Sequence, residues 1–126
     1  MQIDNAMLME QFILLKSNLL IQIVILGAII DILLGMLTGL KCRELNSTKG
    51  LQGVFRHMGV ITTILIVYPY MSLLHLNSYA NWFVGFYIAN YAISILENLT
   101  KLGAPVPSFL VKYLAKVKST LDKGKG

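Results

Sequence analysis

Asp31 is the only ionisable side chain between residues 17 and 40, near the middle of the apolar run "LLIQIVILGAIIDILLGMLTGL". Gly27, Gly35 and Gly39 share its four-residue spacing. On a helix that row drifts slowly around one face, and the Gly35–Gly39 pair is a GxxxG motif that lets a second helix approach closely in a membrane. A second polar row, Asn90, Ser94 and Glu97, follows at spacings of four and three. Rows of this kind suit hydrogen bonding between helices or contact with water. Bond-making chemistry is not indicated. His57 and His75 lie far apart, with no Cys, Asp or Glu at metal-ligand spacing beside them. His57 falls in the basic segment 41–57 and is read as a loop residue. No glycine-rich phosphate loop and no Ser-His-acid set is recognisable, so the expectation is a protein that is not an enzyme and needs no metal or cofactor.

The elements that would carry these residues follow from composition. The chain is 56% hydrophobic and 13% charged, where soluble chains average about a quarter charged. Residues 58–96 contain no Asp, Glu, Lys or Arg. A helix rises about 1.5 Å per residue, so roughly 20 residues cross a hydrocarbon core of about 30 Å. The segments 19–40, 58–76 and 79–97 meet that length, and unpaired backbone groups in lipid require them to be helices. The sequence therefore predicts an all-α integral membrane protein with three transmembrane helices and a C-terminal amphipathic surface helix. It forms one membrane domain over 1–126, with an N-terminal arm (1–18), a basic loop (41–57) and a basic tail (101–126).

Orientation follows from the short basic segments. Lys41, Arg43, Lys49 and Arg56 lie in the loop, and Lys112, Lys116 and Lys118 in the tail, while the 77–80 connection has no basic residue. With three spans, every basic segment falls on the cytoplasmic side, the N-terminus outside and the C-terminus inside. The start lacks a basic region ahead of the apolar run, so the first span is expected to stay in the protein. Cys42 is the only cysteine. After Gly103, Pro105 and Pro107, Ser108 is a candidate N-cap. Leu110, Leu114, Val117 and Leu121 then recur at helical spacing, away from the lysines. That helix is expected on the anionic inner leaflet, or against a partner helix. The basic segments thus have a membrane explanation, and no nucleic acid partner is needed. Tyr79, Trp82 and Tyr87 suit an interfacial aromatic belt. Met7, Leu8, Phe12 and Leu15 could form a surface helix or extend the first span.

Asp31 costs the first span about 2.5 to 3.5 kcal/mol, while its apolar side chains each return about 0.3 to 0.6. The span holds fourteen Leu, Ile and Val residues, so insertion is favourable and the acid still wants a partner. The glycine face is read either as a self-association surface with Asp31 as its polar pin or as packing within the chain.

Three stretches resemble the toxin-secretion/phage-lysis holins. "DILLG" at 31–35 is similar to the family's first-span Asp and Gly, and "LNSTKGLQGVFRHMGVI" at 45–61 to its basic loop. "YIANYAISILENLTKLGAPVPSFLVKYL" at 87–114 resembles its Ser-Ile-Leu-Glu-Asn, Gly, Pro-x-Pro ending. One departure is Tyr91, where the family often has Glu. The resemblance implies copies that accumulate in the bacterial cytoplasmic membrane, associate with one another and form lesions at a set time. An endolysin, or in toxin loci a toxin, then leaves without required direct contact. The competing reading is a small multidrug or proton-coupled transporter using Asp31, opposed by the missing fourth span and the basic tail.

Overall fold

The computed structural model describes residues 2–43 and 46–124. The described residues form five helices: α1 (Asn5–Leu15), α2 (Leu19–Lys41), α3 (Ser47–Leu73), α4 (Asn77–Lys101) and α5 (Ser108–Gly124). Local chemistry sets most of their boundaries. Asp4 caps α1 by accepting the Met7 N–H at 2.8 Å. Asn18 opens α2 by accepting from Leu20 and Ile21, and Asn46 opens α3 by accepting from Thr48 and Lys49. Each satisfies N–H groups that have no partner inside the helix. The α3–α4 turn closes through His75 in the left-handed region (φ 61), with the Leu76 N–H donating to the Met71 carbonyl at 2.8 Å. Pro69 lies inside α3 and is buried.

The basic segment expected as a loop through residue 57 is helical from Ser47 onward. Asn46 starts the helix early, and residues 47–57 continue it, because a loop of a few residues suffices to reverse the chain. The N-terminal arm carries a helix of its own, α1, separated from α2 at Lys16–Asn18, where the Gln22 side chain donates to the Lys16 carbonyl. Two helices, α2 and α3, are long and apolar enough to cross a membrane. The apolar surface of α2 is left largely open. Leu19, Leu26, Leu33 and Leu40, one every seventh residue, are 67%, 57%, 55% and 58% exposed.

Burial is lopsided. The core gathers Leu15 of α1, Ile21, Val24 and Ala28 of α2, Ile64 and Tyr68 of α3, and Ala80, Val84 and Tyr91 of α4. Apart from Leu15 and Tyr91, these come from the first half of α2, the second half of α3 and the first part of α4, so one end of the bundle is packed. Tyr68 adds a polar tie there, donating to Asn81 at 2.7 Å. Toward the other end α2 and α3 part around a cleft.

Candidate functional site: a polar node at the floor of a glycine-lined cleft

Antiparallel pairing puts three polar residues at one level. Asp31 lies ten residues before the end of α2 and His57 ten residues after the start of α3. Tyr91 lies fourteen residues into α4, and His57 sixteen before the end of α3. At a common rise per residue, short connections bring all three to similar depth. There, His57 Nε2 stands 3.5 Å from Asp31 Oδ2, and the Asp31 side chain is only 10% exposed. On its other side, His57 Nδ1 is 3.0 Å from the Tyr91 hydroxyl, and the two rings pack at 5.1 Å between centroids.

The hydrogen-bond inventory fixes a consistent arrangement. A neutral imidazole has one donor and one acceptor nitrogen. With the proton on Nε2 facing the carboxylate, Nδ1 is the acceptor and Tyr91 O–H the donor. The chain then runs from α4 through α3 to α2. Asp31 Oδ1 is buried and has no hydrogen-bond partner, so the node leaves one acceptor unsatisfied.

Asp31 and His57 also form the floor of a cleft of about 840 Å³. Gly35 and Gly39 line it from α2, Gly50 and Gly53 from α3, and Ser94 and Asn98 from α4, with Asn46, Ser47 and Lys49 also on its wall. A methyl group placed on Gly35, Gly50 or Gly53 would meet nothing within 4 Å. Gly27 differs: its Cβ would fall 3.3 Å from Tyr91 Cβ. The glycine row of α2 therefore divides at Asp31. Gly27 serves close packing of α2 on α4 inside the chain, whereas Gly35 leaves open space.

The remaining candidate residues are spread out. Ser94 joins the cleft, while Asn90 is half-buried and Glu97 exposed, neither being on the cleft wall. Lys41 donates to the Lys101 carbonyl at 2.8 Å and so ties the end of α2 to the end of α4. Arg43 is exposed with φ 56. Lys49 and Arg56 are exposed on α3, and Lys112 and Lys116 on α5. The side chain of Lys118 lies outside the described residues, as do those of Leu114, Val117 and Leu121. Tyr79 and Trp82 are exposed, but Tyr87 packs against the core. Among the described residues, no group of His, Cys, Asp and Glu could hold a metal ion.

His57 is the residue the sequence reading misplaced. It is part of α3 and 18% exposed, the partner of both Asp31 and Tyr91. Equal spacing of Asp31 and His57 from the reversal near residues 42–46 was a usable signal, hidden by taking the loop to extend to 57. Tyr91, noted only as a departure from a family pattern, is 6% exposed and completes the node.

The helices and their exposed apolar faces define an all-α membrane protein. The chain belongs to the bacteriophage holin family, whose match extends over residues 9–119. It is 31% identical over 96 residues to a probable holin of Bacillus phage phi105, covering 75% of this chain and 71% of that protein. It is 30% identical over 120 residues to the holin-like protein TcdE of Clostridioides difficile, covering 80% and 72% respectively. An uncharacterised protein of Clostridium perfringens is 37% identical over 93 residues, covering 71% and 68%. No solved structure matches.

Proposed function

We propose that the chain is a holin that spans the bacterial cytoplasmic membrane three times through α2, α3 and α4. Its N-terminus lies outside and its C-terminus inside. Copies associate laterally and form lesions that release an endolysin or a toxin at a timed point, without catalysing a reaction. The observation that carries this reading is Asp31: a carboxylate nearly buried in an apolar bundle, with an oxygen lacking a donor, at the floor of an open glycine-lined cleft. Such a group is unsatisfied in the single copy and gains from a second helix or from water. Membership of the holin family supports it. The α4 helix has the length to span, at 25 residues, and α5 with its exposed lysines suits the anionic inner leaflet.

The test is induced expression in bacteria with a co-expressed endolysin. Abrupt loss of membrane potential and release of the endolysin are expected, and Asp31→Asn or Asp31→Ala at equal membrane levels should shift the time of onset. Unchanged timing in both variants would remove Asp31 from the mechanism. Ion or drug resistance without leakage would instead favour the transporter reading, which the Asp31 cleft also suits.

A further inference from the structure

The node sits where the packed end of the bundle meets the open end. Beyond it toward Leu73 and Asn77 lie Ile64, Tyr68, Ala80 and Val84, all buried. On the other side lie the cleft and the unfilled positions at Gly35, Gly50 and Gly53. Three helices contribute one side chain each, and each contact needs the next. Tyr91 holds the imidazole through Nδ1. The carboxylate, an acceptor only, favours the tautomer with Nε2–H toward Asp31, and the Tyr91 hydroxyl, able to donate, then holds the ring in place through Nδ1. Gly27 lets Tyr91 stand close to α2. Losing the Tyr91 hydroxyl leaves Nδ1 without its donor and the ring free to turn away from the carboxylate.

We propose that His57 and Tyr91 are positioning residues that hold Asp31 inside the single copy, so that α2 presents its carboxylate to another copy or to water only after this three-helix node opens. The proposal rests on the holin reading for its biological consequence, but the node itself is independent of it. In the closed state Asp31 faces His57, and the helices stay together around it. In the open state the ring leaves the carboxylate, which then needs a donor from elsewhere. Oδ1 has no partner and is buried while the node is shut, so a newcomer reaches it only once the node opens.

Two measurements test this on the full chain. The first is nitrogen NMR of the His57 ring in lipid nanodiscs, with His75→Asn leaving one histidine; Asn tolerates the left-handed backbone at that position. A single Nε2–H tautomer with a hydrogen-bonded Nδ1 is expected, and Tyr91→Phe should shift the Nδ1 signal to that of a nitrogen without a hydrogen bond. A ring that already samples both tautomers in the Tyr91 protein, or an Nδ1 signal that ignores Tyr91→Phe, overturns the node. The second is the onset of membrane depolarisation after induction, at matched protein levels. Tyr91→Phe and His57→Phe should each bring onset forward. The closed-to-open ratio should fall about fivefold, the equivalent of one net hydrogen bond of about 1 kcal/mol. The double variant should shift onset no further than either single one, because both break the same chain. Additive shifts or unchanged onset overturn the positioning role. If the parent protein never depolarises a membrane, the holin reading fails while the ring spectra still decide the node.

Discussion

At Gly27 an added methyl group meets Tyr91 at 3.3 Å, while at Gly35, two helical turns along the same row, it meets nothing within 4 Å. The same residue type therefore has two consequences. Gly27→Ile should overpack the α2–α4 contact and cost about 1 to 3 kcal/mol, read as a lower melting temperature of the purified protein in detergent. Gly35→Ile should leave that melting temperature within experimental error of the parent, yet alter the concentration at which copies cross-link in membranes. The opposite ranking of the two variants in melting would show that the row does not divide at Asp31. Tyr68 offers a separate check on the packed end, since Tyr68→Phe removes its bond to Asn81. A loss of about 0.5 to 1.5 kcal/mol in stability is expected.

Among the elements, α3 combines the most features. Its polar first turns carry Lys49 and Arg56, its middle His57, and its later part the buried Ile64, Tyr68 and Pro69. The Asn46 side chain, with bonds to two N–H groups, determines where it begins. Asn46→Ala should fray the turns that form the cleft wall at a cost of about 1 kcal/mol. Hydrogen exchange should show the effect as faster exchange over residues 47–53, with residues 60–70 unchanged. Equal acceleration along the whole helix would mean that the cap does not act locally. The α2 helix buries Ile21, Val24, Ala28 and Thr38 and offers apolar side chains over much of its remaining surface, as a helix surrounded by lipid does.

For the whole molecule the decisive features are charge and its separation from apolar surface. A net charge of +5 sits on a chain with 56% hydrophobic residues. In the proposed orientation, Cys42, free and exposed in the structure, lies on the cytoplasmic side. A membrane-impermeant maleimide should label it in inverted vesicles and not in intact cells; labelling in intact cells would reverse the topology. Replacing Lys112, Lys116 and Lys118 with Gln should weaken attachment of the tail to anionic lipid by about 1 kcal/mol per lysine, less at high salt. Tail fluorescence against vesicles with and without anionic lipid reads that difference.

The helical, membrane-bound character of this chain is set by its sequence, because long stretches without charge have no other way to satisfy their backbone in lipid. The stretches around Asp31, residues 45–61 and residues 87–114 likewise made the family legible. The role of His57 and the division of the glycine row were decided only by tertiary structure. The Asn46 cap acts locally, but what α3 does after its cap depends on pairing with α2. Whether Gly27 touches another helix depends on where Tyr91 lands, and Tyr91 lands there because α3 and α4 pack at one register. A histidine in a basic segment looks like a loop residue until the helix that carries it turns it toward a carboxylate 26 residues earlier in the chain.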